Sequence, residues 1–222
     1  MILAHDLNHG LLGSSSPLIK SWAFLCQNMQ MSYRHFPASE FTRMPWKNAG
    51  GVTHEIFRFP DSDGEWQWRV SIAEVASDGA FSLFPGSMRS LTLLSGEGMR
   101  LDFVDRSVEL MPPYSSAIFS GDEILSAHLL DGPTTDFNAI WQADKFNIHV
   151  ERRAMHGSIW CIAEHKTSWL VYFLSGHGRI KSDADSPEIQ TGDALWLQPN
   201  DSEQRLILEA AGEALWLKIT EL

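Results

Sequence analysis

The sequence predicts an all-β protein made of two similar barrels. Three observations carry that expectation. Apolar and polar residues alternate with period two through almost every apolar stretch after Tyr33. Clusters of Gly, Pro, Asn, Asp and Ser separate those stretches, and one turn motif recurs in both halves of the chain. Successive side chains of a strand point to opposite faces, so period two marks a strand with unlike surroundings on its two sides.

Taken in order, "VTHEIFRF" is the first clear strand. "WQWRVSIAEV" then places Trp66, Trp68, Val70 and Ile72 on one face and Gln67, Arg69, Ser71 and Ala73 on the other. Further strands are expected at "SLTLL", "MRLDFV", "SAIF", "ILSAHLL", "FNIHVE", "SIWCIA", "WLVYFL", "DALWL", "RLIL" and "ALWLKI". The segments "PDSDGE", "SGEG", "LDGPTTD", "SGHG" and "QPNDSE" read as the turns between them. No stretch of helical length carries a sustained 3.6-residue period with caps.

The recurring motif is "LLSGEG" (residues 93–98) and "FLSGHG" (residues 173–178), 80 residues apart from Leu94 to Leu174. Apolar strands precede both copies, which points to an internal duplication. Units of this length, rich in short strands, suit two jelly-roll, cupin-like barrels packed as a bicupin with few short helices; one larger sandwich is the alternative. The expected divisions are an N-terminal extension at 1–30, a barrel with a pocket at 31–140, and a second barrel at 141–222. The opening "MILAHDLNHGLLGSSSPLIKSWAFLCQNMQM" has no clear period and lacks the basic and apolar regions of a signal peptide. It reads as a poorly ordered extension or an upstream start, with a short docked helix over 18–29 as the alternative.

Composition narrows the function. A formal charge of -11 with no block of like charges argues against broad nucleic-acid binding, which needs a positive footprint. It leaves room for a small anion, because a local Arg/Lys cluster can dominate its own cavity. No apolar run approaches the length of a membrane span. Cys26 and Cys161 are the two cysteines, which suits a reducing cytoplasm. Nine histidines include no H-x-H pair, and His54, His128, His149, His156, His165 and His177 are scattered, so neither a metal site nor any other cofactor is expected. No G-x-S-x-G elbow is present. "NAGG" lacks the spacing of a phosphate-binding loop.

The polar groups gather in the first half. In "RMPWKNAGGVTHEI", Lys47 and Asn48 offer donors, while Gly50 and Gly51 let backbone N–H groups approach a ligand. Thr53 and Glu55 share one face of the following strand. Arg69 and Ser71 share the polar face of theirs, and Arg89 follows the Pro-Gly turn of "FSLFPGSMR". Guanidinium, ammonium and amide donors together describe a receptor for a small carboxylate. Against this stand the ordinary alternatives: Arg69 on a solvent face, Glu55 in a simple ion pair, Trp46 capping a barrel end.

"MPWKNAGGVTHEI", "WQWRVSIAEVASDGAFSLFPGSMRSLTLLSG" and "DGPTTDFNAI" resemble successive signatures of the HutD/Ves family, over residues 33–222 and most densely in the first half. The resemblance implies a metal-free bicupin, bacterial and cytoplasmic, associated with histidine utilisation or stress induction. It also implies regulation through binding of an intermediate such as formylglutamate. Matching positions make Trp46, Lys47, Asn48, Gly50, Gly51, Thr53, Glu55, Arg69, Ser71, Arg89, Asp136, Phe137 and Asn138 the candidate ligand-binding residues. Ala49 stands where the family often has another Gly, and His54 where Arg is frequent. The first is expected to restrict the turn and the second to weaken anion attraction. The expected partner is a small carboxylate, with no nucleic acid and no membrane, and a homodimer is left open. An enzyme using Glu55 as general acid/base, and an interaction scaffold using its aromatic surface, are the other two functional classes.

Overall fold

The structure, a computed structural model, describes residues 32–47, 49–62, 64–198 and 204–222. The expectations for residues 1–30 and for Cys26 and Asn48 lie outside them. The described chain is strand after strand: β1 (Ser32–Phe36), β2 (Thr42–Pro45), β3 (Gly51–Phe59), β4 (Trp68–Val75), β5 (Gly79–Ala80), β6 (Ser87–Ser95), β7 (Met99–Phe103), β8 (Ser107–Leu110), β9 (Ser116–Ser120), β10 (Leu125–Leu129), β11 (Thr134–Gln142), β12 (Phe146–Ala163), β13 (Thr167–Ile180), β14 (Ile189–Gln190), β15 (Ala194–Gln198) and β16 (Gln204–Glu221). A 3-10 turn at Ala38–Glu40 is the sole helical element among the described residues. No helix among them is long and apolar enough to cross a membrane.

Three sheets result. The first orders β2-β3-β4-β11-β6-β9, a second β5-β10-β7-β8, and a third β1-β15-β13-β16-β12 with β14 beside β13. All pairings are antiparallel, and no sheet closes on itself by hydrogen bonds. The all-β, cupin-like expectation holds, as three packed antiparallel sheets rather than sealed barrels. β1 joins the third sheet, whose other strands all come from after Thr134, by pairing with β15 from Ser32↔Gln198 to Phe36↔Ala194.

Burial explains the layering. On the first sheet, Trp68, Val70, Ile72, Phe137, Ala139 and Trp141 pack against Leu170, Tyr172, Trp196 and Leu215 of the third sheet. Phe57 and Trp196 lie 4.6 Å apart between ring centroids in this core. The opposite face of the first sheet packs Ala73, Val75, Leu91 and Leu93 against Met99, Leu101 and Leu125 of the second. The far side of the third sheet has its own core of Val171, Phe173, Leu195 and Trp216, over which Leu206 and Leu208 fold.

The structure corrects four expectations for the strands. "FNIHVE" and "SIWCIA" are one strand, and so are "RLIL" and "ALWLKI": β12 and β16 pair without a break from Phe146↔Glu221 to Ala163↔Gln204. "SGHG" is not a turn like "SGEG" but part of β13, because Gly176 faces Gly212 across the β13–β16 ladder, where β-carbons would strike backbone. "LDGPTTD" is a turn only in part, since its last residues begin β11, a central strand missing from the expected set. Trp66 precedes β4 rather than extending its apolar face, and stands edge-on to Phe84 at 5.9 Å.

Candidate functional site

Between the first and second sheets, beside their shared core, lies a cavity of about 650 Å³. The register across β4, β11 and β6 builds its floor. Ile140 pairs with Arg69 on one side and Arg89 on the other, Asn138 with Ser71 and Leu91, and Asp136 with Ala73 and Leu93. Strand alternation turns Arg69, Ser71, Arg89, Asp136, Asn138 and Ile140 into the cavity and Trp68, Val70, Phe137 and Ala139 into the core behind. The expected polar face of "WQWRVSIA" is therefore walled in rather than facing solvent.

Two guanidinium groups thus stand in one cross-strand row, separated by Ile140. Arg89 is buried and folds along the sheet, its Nε donating to Asn138 Oδ1 at 2.8 Å and its Nη2 donating to the same oxygen. Asn138 Nδ2 donates to Asp136 Oδ1, so the amide's orientation is set by a donor on one side and an acceptor on the other. Phe81 lies against the Arg89 guanidinium at 4.3 Å from the ring centroid. Burial lowers the pKa of Arg89 to about 10; Asp136 opposes this shift and Arg69 adds to it. Burial also raises the Asp136 carboxyl to about 6, partly offset by Arg89 and Asn138.

Arg69 is held differently. It lies over Trp66 and Phe84, 5.6 and 5.4 Å from the ring centroids. Its Nη1 is 3.7 Å from Glu55 Oε2, while its buried Nε has no hydrogen-bond partner. Burial lowers its pKa, against an opposing pull from Glu55. Asp136 Oδ2 is likewise buried and unpartnered, on a residue that is 0% exposed. A donor and an acceptor without partners in one walled cavity are what a polar ligand would satisfy.

The remaining candidates divide. Trp46, Lys47 and Thr53 line the cavity, and Trp46 Nε1 donates to Thr53 Oγ1 at 2.8 Å. Gly51 does not line it: a β-carbon there would sit 2.4 Å from the Glu74 carbonyl oxygen and 2.9 Å from the Trp46 ring, so its smallness seats the tryptophan. Gly50 accepts a hydrogen bond from Ala76 N through its carbonyl and is also absent from the lining. Glu55 follows Thr53 on β3 but is buried behind the wall, accepting from Arg58 Nε at 2.7 Å. Phe137 packs on Tyr172, 5.2 Å away in the core. Ala49 takes φ 58, the left-handed region, so the turn forms in spite of its β-carbon. His54 pairs with Glu74 at 3.0 Å and does not line the cavity.

Sequence reasoning missed Met44, Pro45, Ala73, Val75, Ala80, Phe81, Ser82, Phe84 and Ile140 of the lining. "FSLF" held the signal, two aromatics spaced to flank the guanidinium groups. Among the described residues no group of three or more His, Cys, Asp and Glu side chains could hold a metal ion.

Comparison with known proteins follows the same outline. The HutD family model matches residues 38–216. An uncharacterized 21.2 kDa protein of the hutC 3' region of Pseudomonas putida is 39% identical over 178 residues, spanning 79% of this chain and 90% of that protein. The structure of HutD from Pseudomonas fluorescens SBW25 superposes with a TM-score of 0.73 at 27% identity, over 86% of this chain and 100% of that one. The nickel(II) complex of the Escherichia coli pirin YhhW, at 10% identity and TM-score 0.62 over 86% of this chain and 99% of that one, shares the fold alone. With the family model spanning residues 38–216 and a curated relative 39% identical over 178 residues, this chain belongs to the HutD family, which is associated with histidine utilisation.

Proposed function

We propose that this protein binds a small organic acid in the cavity between its first two sheets, and that the bound state serves regulation of histidine utilisation in the cytoplasm. The observation that carries the reading is the pair of guanidinium groups in one cross-strand row, with Arg69 Nε buried and unpartnered. A guanidinium in a low-dielectric wall gains more from a carboxylate than it would in water. The cavity volume falls in the range of ordinary metabolite sites. Glu55, which a catalytic reading needs, stands outside the lining and is engaged by Arg58. The hutC-region relative and the formate condition named for the Pseudomonas fluorescens structure make formylglutamate, glutamate, formate and urocanate the acids to try first.

Calorimetry on wild type and Arg69→Ala tests this. A hydrogen bond to a charged group contributes about 1.5–3 kcal/mol, so the variant should bind roughly ten- to a hundredfold more weakly. Absence of binding by all four acids at millimolar concentration would overturn the reading.

A further inference from the structure

We propose that the occupant of this cavity carries an N–H donor in addition to its carboxylate, and that Asp136 selects for it. The inference rests on the carboxylate reading and narrows it to a chemical class. Asp136 is fully enclosed, and its two oxygens are not equivalent: Oδ1 accepts from Asn138, while Oδ2 has no partner. A buried acceptor left open is costly, so a site that keeps one has a use for it. The residue is among those lining the cavity and is joined to Arg89 through Asn138, so its carboxyl belongs to the same polar cluster as the guanidinium groups.

The sheet register sets the spacing. Asp136 lies two rows along β11 from the Arg69–Ile140–Arg89 row, with Asn138 between. Rows on one face are about 7 Å apart at the backbone, and Arg89 already bends along the strand to reach Asn138. An occupant would then set its acid toward Arg69 and its nitrogen toward Asp136, two rows apart. Charge agrees with this. Lys47, Arg69 and Arg89 of the lining outweigh Asp136, so the cavity is net positive and favours an acid, while Asp136 is the one negative group within it that favours a nitrogen donor. A diacid without nitrogen would face the Asp136 carboxylate instead.

Matched pairs isolate the donor: aspartate against succinate and glutamate against glutarate, each pair sharing a carbon skeleton. Calorimetry at pH 8, where Asp136 is ionised, should show the amino diacid of at least one pair binding ten or more times tighter. Asp136→Asn should erase that preference while succinate or glutarate binds as before or tighter, since a negative charge has gone. A general loss of structure would weaken both members of a pair alike. Equal affinity within both pairs for wild type overturns the inference even if the variant fails to fold, as does a preference that survives in Asp136→Asn. If both members bind equally and Arg69→Ala abolishes both, the donor idea fails and the carboxylate reading stands. Failure of every acid, including the four tried above, removes both.

Discussion

Asp136 shows how one residue can be useful to a site and expensive to a fold. Its carboxyl is raised to about 6 from an ordinary 3.8, chiefly because burial disfavours the charge. In the unfolded chain the proton leaves near the lower value and in the folded protein near the higher. Between about pH 4 and 6 the folded state therefore holds the extra proton, and stability falls as pH rises through that window. Above it both states are ionised and the full penalty applies, about 3 kcal/mol for a shift of this size. Urea denaturation of Asp136→Asn should accordingly show a flatter dependence on pH between 4 and 6 than wild type; identical slopes would mean the carboxyl is better solvated than its enclosure implies. The type of this residue was visible in "TTDFNAI", but its isolation was not. Nothing in the local string distinguishes an Asp facing water from one buried in the wall of a cavity.

Among the elements, β13 and β16 carry the most specific demand. Gly176 has φ 86, and a β-carbon on it would lie 1.9 Å from the Ala211 carbonyl oxygen. Gly212, its partner in register, has φ 129 and would meet the Ser175 carbonyl oxygen at 2.1 Å. Both the backbone conformation and the space are closed to any other residue. Gly176→Ala should therefore cost at least about 3 kcal/mol, the range of overpacking with added backbone strain. A loss below about 1 kcal/mol in chemical denaturation would show that the ladder shifts to make room. The same pair explains why "SGHG" resembled a turn. Glycine spacing alone does not tell a hairpin loop from a bulged strand that must pass close to its neighbour. β11 was missed for a related reason: Asp136 and Asn138 interrupt its apolar pattern, because its second face looks into a cavity rather than a core. β4 was legible, since Arg69 and Ser71 alternate with Val70 and Ile72 from the start of the pattern.

For the whole molecule, the largest consequence is the shared core. Phe57, Trp68 and Phe137 from the first sheet pack directly with Tyr172, Trp196 and Leu215 from the third. Aromatic contacts here, such as Trp68 to Trp196 at 5.5 Å, add to the area they bury. The two layers should then lose structure together: calorimetric and van't Hoff enthalpies should agree within error for wild type. Trp196→Ala should lower stability by about 3–5 kcal/mol without splitting the transition. Two separated transitions in the wild-type protein would show that each layer stands without the other.

The sequence by itself determined the β class, the faces of β4, and the residue types of the proposed acid-binding site, because period two and side-chain chemistry are local properties. Tertiary structure alone decided that Arg69 and Arg89 share a row, that Gly51 seats Trp46, that Glu55 and Phe137 are withdrawn from the cavity, and that "FSLF" forms its wall. Those facts depend on which strands become neighbours and in what register. Such pairing follows from burying whole faces at once, a free energy that no short stretch of chain carries alone.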